Sequence, residues 1–171
     1  EHGRRRADLG DLLNGYQDTA LLYVAAKLAL ADLLVNGPKT SKELATMTGA
    51  HAPSLYRILR GLVIIGICFE EEERFGLTQL GQLLRTGVDG SLSNRALVSG
   101  EQYMGAWSGL VHSAMTGETA FAHVFGEDQW GHRQRNMALS EQFNMDLNEE
   151  TARSAMAIWP NAVGWTASTI T

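Results

Sequence analysis

Two histidines are the nearest candidates for acid–base chemistry in this sequence. His112 is predicted to lie on a helix with Trp107, and His123 stands between Phe121 and Phe125. Histidine titrates near neutral pH, but no carboxylate stands at helical spacing from His112. We therefore predict a structural or pocket-lining role for both histidines, and no catalytic residue in this chain.

Thiol and metal chemistry are not indicated either. Cys68 is the single cysteine, lies in a short apolar run, and is predicted to be a packing residue. The five histidines are scattered and none stands at ligand spacing from Cys68, so we predict no metal site. One cysteine cannot form an internal disulfide framework and suits a reducing compartment, so a cytoplasmic protein is expected.

The composition sets the class of protein. The chain has 171 residues, of which 44% are hydrophobic and 19% charged, as in an ordinary globular domain. A net charge of −5 argues against a general nucleic-acid binder, which usually carries a basic excess. The apolar runs are far shorter than the roughly 20 residues of a membrane helix, and no signal peptide is recognisable. We expect neither a nucleic-acid partner nor a membrane.

Helical patterns dominate the first third of the chain. Helices are predicted over residues 8–16 and 19–35, with apolar residues on one face of each. Thr40 and Glu43 have the spacing of a capping box, which opens a short helix. A longer helix follows, with Pro53 in its first turn.

A β-hairpin is predicted next. Two short apolar runs, 67–69 and 74–77, flank an acidic tip, Glu70–Glu73, and Thr78 is predicted to cap a helix over 79–85. This order of helices followed by a hairpin is the winged-helix arrangement. The predicted fold class is therefore mainly α, with a winged-helix-like core, a short β-hairpin and additional helices at both ends.

The second half is predicted to be helical again. Helices are expected over 91–99 and 103–115 with a break near Gly100, and a loop or single turn over 117–126. A long helix is expected from near residue 135 or 137 to about 158, followed by an irregular tail over 161–171.

The winged helix raises the alternative of a DNA-binding regulator. Arg57 and Arg60 lie on the predicted recognition helix, but the rest of that helix is apolar. The recognition helix of a DNA-binding protein needs several side chains that contact bases and phosphates. The carboxylates of the tip, Glu70–Glu73, would repel phosphates, so this alternative is the less favoured one.

One family resemblance rests on an ordered set of motifs. Residues 24–34 read VAAKLALADLL and resemble the VAxxLGIxDxL helix of small-molecule O-methyltransferases that use S-adenosylmethionine. The resemblance covers roughly residues 20–158 and continues through these blocks: Gly37-Pro38, Thr40-x-x-Glu43-Leu44-Ala45, Leu55-x-Arg57-Ile58-Leu59-Arg60, Phe75-x-Leu77-Thr78-x-Leu80-Gly81, Ala106-Trp107-x-x-Leu110-x-His112, Ala120-Phe121-x-x-Val124-Phe125-Gly126 and Phe143-Asn144.

The resemblance implies a dimerisation domain that also contributes to a substrate pocket. In this family the N-terminal helices, with the later long ones, join two chains into a homodimer, and large apolar faces on those helices agree with this. Its reaction is methyl transfer from S-adenosylmethionine to a hydroxyl of an aromatic or polyketide-like acceptor. It suggests six residues as substrate-binding, for which plain core packing remains the alternative: Trp107, Phe121, His123, Phe125, Phe143 and Met145.

The chain departs from the family after residue 158. The expected strand and glycine-rich turn that hold the cofactor are missing, and no G-x-G-x-x-G occurs. We therefore expect the cofactor-binding Rossmann-like domain to be absent, no cofactor bound by this chain, and no methyltransferase activity from it alone. The alternatives are a stand-alone binding protein, one acting without S-adenosylmethionine, or a fragment of a full enzyme.

The same resemblance divides the chain into four predicted regions. They are an N-terminal arm or helix over 1–18, a winged-helix dimerisation region over 19–86, a helical substrate-lid or linker region over 87–160, and the tail over 161–171.

Overall fold

The computed structural model describes residues 2–158 and the side chains of residues 9–148. The predicted tail over 161–171 lies outside the described residues. The α-helices are α1 His2–Lys27, α2 Leu30–Leu34, α3 Ser41–Thr48, α4 Ala52–Ile64, α5 Ser93–Val98, α6 Met104–Ser108, α7 Leu110–Thr116, α8 Ala120–Phe125, α9 Gln129–Arg135 and α10 Met137–Ile158. The strands are β1 Lys39–Thr40, β2 Cys68–Glu71 and β3 Arg74–Leu77. The predicted mainly α fold with a short hairpin is confirmed.

The three strands form one antiparallel sheet in the order β1-β3-β2. The predicted hairpin is confirmed, with Phe75 opposite Glu70 across β2 and opposite Lys39 across β1. The sequence analysis missed β1, because two residues directly before a helix carry no alternation of their own. The strand exists only through its pairing with β3.

The capping box at the start of α3 is confirmed. The Thr40 side chain accepts a hydrogen bond from the Glu43 backbone N–H at 3.2 Å, and Glu43 Oε2 accepts one from the Thr40 N–H at 2.6 Å. The second bond favours the ionised carboxylate, so it lowers the pKa of Glu43 below its ordinary value. Two otherwise unpaired backbone donors are thereby satisfied.

The hydrophobic core lies in the winged helix. It is centred on α4, whose Leu55, Leu59 and Leu62 are at most 1% exposed, and on Phe75 of β3, which is completely buried. The Tyr56 ring packs edge-on against Phe75 with a centroid separation of 5.7 Å. The other fully or largely buried apolar residues of this core are Ala25, Ala26, Leu30, Ala31, Leu34, Leu44, Ala45, Ile67, Cys68, Leu84 and Ala96.

Two helices were predicted over 8–16 and 19–35, with a break at residues 17–18, but the structure places the break between α1 and α2 instead. The structure has one continuous helix, α1, because Thr19 does not cap a new helix and its hydroxyl instead donates to the Gly15 carbonyl one turn earlier, at 3.3 Å. The break comes at Ala29, which has φ 49° and lies in the left-handed region. That conformation costs roughly 1–2 kcal/mol for a residue with a Cβ, and the burial of Leu30 and Leu34 in α2 offsets it.

The helix predicted over 79–85 is shorter than expected. Thr78 does cap it, since its hydroxyl accepts from the Gly81 N–H at 3.0 Å, but only a 3₁₀ turn over Gly81–Leu84 follows. A Cβ on Gly81 would lie 2.1 Å from the Ile67 carbonyl oxygen, so the chain packs too closely against the hairpin for a wider helix there.

The α-helix predicted to break near Gly100 does end at Val98, but the chain stays helical across Gly100. The chain continues from α5 to α6 through a π-helical turn over Ser99–Tyr103, and the interruption comes at Gly109 instead. Gly100 is needed for close approach, since a Cβ there would lie 2.1 Å from Cγ of Tyr23 in α1. The predicted loop or turn over 117–126 contains the short helix α8, and α9 was missed. The predicted long helix is confirmed as α10.

Gly100→Ala is expected to destabilise the protein by about 1–3 kcal/mol, the usual cost of inserting a methyl group into a closely packed contact. Urea unfolding at a fixed protein concentration measures the change. Gly131→Ala in α9 is the matched control, because a Cβ there meets only flexible side-chain atoms at 3.4 Å or more, and alanine is the better helix former. Equal stabilities of the two variants would contradict the close contact with Tyr23.

The second half of the fold packs onto the first through α5. The long helix α10 lies against α5, and Asp146, which is 1% exposed, accepts a hydrogen bond from Arg95 Nη1 at 3.0 Å. Lys27 at the end of α1 pairs with Glu101 of the π-helical turn at 2.5 Å. Within residues 2–158, no helix is long and apolar enough to cross a membrane.

Candidate functional site

The cavities of the second half share two aromatic residues. Tyr103 at the end of the π-helical turn and Trp107 in α6 line both a cavity of about 280 Å³ and one of about 450 Å³. The smaller cavity is lined by Tyr103, Ala106, Trp107, Leu110, Ala120, Phe121 and Gln129. The larger is lined by Gly15, Tyr16, Thr19, Ser99, Tyr103, Met104 and Trp107. Trp107 is 66% exposed, so much of its ring is available to a ligand or a second surface.

An aromatic cluster packs against Phe121, which lines the smaller cavity. Phe121, which is buried, lies 4.5 Å from Phe125 between ring centroids, and His132 of α9 lies 5.5 Å from Phe121 and 5.0 Å from Phe125. The Glu127 carboxylate holds His132, with Oε1 2.8 Å from Nδ1. Two of the six predicted pocket residues, Trp107 and Phe121, therefore share a cavity, and Phe125 packs behind it.

His123 belongs to a different contact. Its ring stacks on His112 of α7 with centroids 3.8 Å apart and an interplanar angle of 9°. His112 Nε2 lies 3.0 Å from Glu118 Oε2. The sequence analysis missed this carboxylate, because Glu118 stands six residues on, beyond helical spacing, and comes back only through the left-handed turn at Gly117.

The remaining two predicted pocket residues lie on α10. Phe143 faces Arg133, whose Cζ lies 3.3 Å from the Phe143 ring centroid, and Met145 is 51% exposed. Neither lines the two cavities at Trp107. The structure thus does not join the six predicted residues into a single cavity.

A buried polar pair lies next to this site. Arg133 is 3% exposed and Gln102, in the π-helical turn, is fully buried. Arg133 Nε donates to Gln102 Oε1 at 2.9 Å. Burial lowers the pKa of Arg133, and the neighbouring Tyr103 phenol opposes that effect. This pair was not predicted from the sequence, because an arginine in a short polar helix and a glutamine in a π-helical turn carry no sequence signal of burial.

The α1 apolar face, defined here as Leu9, Leu12, Leu13 and Tyr16, is exposed in the single chain. Its side chains follow the predicted helical spacing but do not enter the core, and they are 58%, 80%, 68% and 61% exposed. Exposed apolar patches of this kind mark interaction surfaces. The sequence analysis predicted this role for the first helices.

A third cavity, of about 370 Å³, lies at the junction of α1, α5 and the 3₁₀ turn. Its lining is mostly apolar, with Asp18 and Arg95 among the exceptions, and includes Leu22, Ile67 and Leu84. This cavity was not predicted from the sequence, since its walls come from four separate segments of the chain, around residues 18–22, 65–67, 80–84 and 92–99.

The charged groups of the winged helix are engaged with one another. Arg60 of α4 pairs with Glu70 of β2 at 3.3 Å, and Tyr56 donates to the same carboxylate. Burial raises the pKa of the Cys68 thiol to about 11, so the thiol is protonated and unreactive at neutral pH. Among the described residues, no three His, Cys, Asp or Glu side chains come close enough to hold a metal ion.

Comparison with known proteins gives consistent matches along the chain. A model of the O-methyltransferase dimerisation domain matches residues 10–87, from α1 to the end of the winged helix. Phenazine O-methyltransferase PhzM of Lysobacter antibioticus is 42% identical over 148 residues, which are 86% of this chain and 43% of that protein.

Solved structures agree. The crystal structure of LaPhzM matches with a TM-score of 0.86 and 40% identity, over 90% of this chain and 46% of that one. An O-methyltransferase from neocarzinostatin biosynthesis, NcsB1, solved with S-adenosylmethionine and 2-hydroxy-5-methyl naphthoic acid, matches with a TM-score of 0.70 and 29% identity, over 78% of this chain and 42% of that one. The present chain spans less than half the length of each of these relatives.

Proposed function

We propose that this chain, which belongs to the O-methyltransferase family through its dimerisation domain, assembles as a homodimer and supplies one wall of a pocket for a small aromatic acceptor. The observation that carries the proposal is the α1 apolar face, whose four side chains are 58–80% exposed in the single chain. The reaction served is methyl transfer from S-adenosylmethionine to a hydroxyl of an aromatic or polyketide-like molecule.

The α1 apolar face favours a second copy of the chain as its partner. Burying a large apolar side chain contributes about 1.5–3 kcal/mol, and a two-fold symmetric contact uses the same face on both chains. Leu12 and Leu13 are adjacent in sequence and both highly exposed, so they span a broad part of the helix surface. This breadth suits a helix that packs between elements of a partner rather than against one groove.

The acceptor pocket is assigned to the aromatic side of the second half. Trp107 and Phe121 present apolar ring surface to one cavity, and Tyr103 adds a polar group at its edge. Pockets for drug-sized ligands combine such aromatic walls with a few polar groups. The proposed wall at this cavity is Trp107 and Phe121, with Phe125 packed against Phe121. His123, Phe143 and Met145 lie outside this cavity, and their substrate contact stays a prediction.

We place the binding of the methyl donor outside residues 2–158. Nucleotide-like cofactors bind where parallel strands end in glycine-rich turns, whereas the sheet of the described residues is antiparallel and has three short strands. These residues do not fit the donor, and none is assigned to it. Their contribution is to hold the acceptor ring so that its oxygen is correctly oriented, which is a large part of such catalysis.

We place the protein in the cytoplasm and propose no nucleic-acid or membrane partner. The buried Cys68 suits a reducing compartment. On the helix that would read DNA, Arg60 is already paired with Glu70. The wing carries three further carboxylates, Glu71–Glu73, that would repel phosphates.

Titration of the isolated chain with 2-naphthol tests the pocket, with tryptophan fluorescence as the signal. We expect binding, and Trp107→Ala is expected to weaken it about five- to thirtyfold, since losing one aromatic face of the site costs about 1–2 kcal/mol. Val111→Ala, at an exposed position of α7, is the control and should leave the affinity unchanged.

Two results would contradict the proposed function. If the unmodified chain did not bind 2-naphthol, the assignment of an acceptor pocket to this cavity would be contradicted. A calorimetric titration with S-adenosylmethionine is expected to show no binding heat, and clear binding would contradict the placement of the donor outside these residues.

A further inference from the structure

Arg133 is a buried cation without a counter-charge at hydrogen-bond distance among the described residues. It is 3% exposed, and its Nη1 and Nη2 atoms have no hydrogen-bond partner there. The groups that hold it are Gln102, whose Oε1 accepts from Nε at 2.9 Å, the Phe143 ring, whose centroid lies 3.3 Å from Cζ, and the neighbouring Tyr103 phenol. A cation–π contact compensates little of the desolvation of a buried charge. In the described part of the chain, the guanidinium is therefore held by neutral groups only, without a counter-charge at Nη1 and Nη2.

A second unpaired donor lies beside it. Gln102 is fully buried, and while its Oε1 accepts from Arg133, its Nε2 has no partner among the described residues. Gln102 belongs to the π-helical turn over Ser99–Tyr103, and π-helical turns occur frequently at functional sites. The two side chains together offer three N–H donor groups, at Nη1 and Nη2 of Arg133 and at Nε2 of Gln102. A carboxylate, with two oxygens and about four lone pairs, is the group that satisfies such a set.

The unpaired donors lie next to the acceptor cavities rather than in the winged-helix core. Tyr103, which lines both cavities, is the residue whose phenol acts on the Arg133 charge. Gln129, one helical turn before Arg133 on α9, lines the smaller cavity. Arg133 and Gln102 do not themselves line either cavity, and Tyr103 stands between the cavities and the guanidinium, so a group of the ligand would have to pass Tyr103 to reach it.

We propose that Arg133, held in place by Gln102, binds a carboxylate of the acceptor, so that the acceptor is a planar aromatic acid rather than a neutral phenol. The inference rests on the proposed function, since it names the substrate class of the same pocket. The ring occupies the aromatic cavity, and the carboxylate passes Tyr103 to form a bidentate pair with Nη1 and Nη2.

An internal partner is the competing explanation. Asp146 Oδ1 and Gln142 Oε1 on α10 are also buried without a hydrogen-bond partner among the described residues. If either of them paired with Arg133 after a side-chain rotation, the arginine would be a structural residue. In that case the guanidinium would not be open to a ligand, and the unmodified protein would bind an aromatic acid no more tightly than the matching neutral amide.

The experiment compares two probes of nearly equal shape, 2-naphthoate and the neutral 2-naphthamide, on the full chain. The unmodified protein is expected to bind 2-naphthoate at least tenfold more tightly than the amide. Arg133→Met keeps the length of the side chain but removes the charge, and should bind both probes equally. Arg135→Met is the matched control, because Arg135 is an exposed arginine of the same helix, paired with Glu127. It should retain the preference.

Thermal unfolding provides the second readout. Each protein is compared with its own ligand-free form, because Arg133→Met also leaves the buried Gln102 Oε1 without its donor and lowers the ligand-free Tm. We expect 2-naphthoate to raise the Tm of the unmodified protein but not that of the variant. Equal affinity of the unmodified protein for acid and amide would overturn the inference without requiring any variant, and so would a full preference for the acid retained by Arg133→Met.

The outcomes separate this inference from the proposed function. If the unmodified chain binds 2-naphthamide and 2-naphthol but shows no preference for the acid, the pocket stands and the carboxylate site is wrong. If it binds none of the three probes, the pocket itself is wrong, and the carboxylate site with it.

Discussion

Replacing both Leu12 and Leu13 by glutamate is expected to convert the dimer into a monomer. Each leucine is at least 68% exposed in the single chain, so neither substitution removes a contact within it. In a two-fold contact each change occurs twice, and four leucines would be replaced by four carboxylates. Each lost leucine contact costs about 1.5 kcal/mol or more, so the four together cost about 6 kcal/mol or more. A loss of this size weakens the dimer Kd by more than about ten-thousandfold.

Sedimentation equilibrium of the double variant measures the change. Its mass should equal that of one chain, while its circular dichroism spectrum stays helical. Met47→Glu is the control, since Met47 is a 54% exposed apolar residue of α3 in the winged helix and outside the α1 apolar face. A double variant that keeps the mass of the unmodified protein would show that the α1 apolar face does not form the contact.

Phe75→Ala is expected to cost about 3–5 kcal/mol of folding stability, the usual range for removing a buried phenylalanine. Phe75 is completely buried, joins β3 to α4 through its contact with Tyr56, and lies at the centre of the three-stranded sheet. Total stabilities of such proteins are about 5–15 kcal/mol, so the variant should be close to unfolding at 37 °C.

Urea unfolding at one fixed protein concentration tests this, because association and folding are linked in a dimer. Ile64→Ala is the control at the end of α4. Its side chain is 83% exposed, and the change should be within about 0.5 kcal/mol. If Phe75→Ala lost less than about 1 kcal/mol, the hydrophobic core would not be centred on the contact between α4 and the hairpin.

Local signals predicted the winged helix because its turns and caps depend on neighbouring residues. Thr40 and Glu43 satisfy each other within one turn of helix, and the acidic tip between two apolar runs needs only its own strands to form a hairpin. The continuity of α1 was not predictable in the same way. Ala29 adopts a left-handed conformation that its residue type disfavours, and only the burial of α2 accounts for it.

The candidate site was less predictable, because tertiary contacts create it. Trp107 and Phe121 could be proposed from the sequence, but their common cavity depends on the packing of α6 against α8. The π-helical turn leaves no recognisable pattern, so the placement of Gln102 was not visible. Arg133 reads in the sequence as one more surface charge of a short helix, and only its 3% exposure reveals a buried cation.

The apolar face of the first helix shows how a pattern can be correct in its geometry and ambiguous in its meaning. Leu9, Leu12, Leu13 and Tyr16 have the spacing of a core-facing stripe, and within the single chain that stripe faces outward. The proposed partner copy would account for the difference, since the same stripe would then lie in the interior of the dimer. The match of the dimerisation-domain model to residues 10–87 includes most of this helix.

Sedimentation equilibrium of the unmodified chain, at concentrations from the nanomolar to the micromolar range, tests the central claim most directly. We predict a single species of twice the chain mass of 18.7 kDa over the upper part of this range. A mass of 18.7 kDa at every concentration would contradict the homodimer, and with it the assignment of the α1 apolar face.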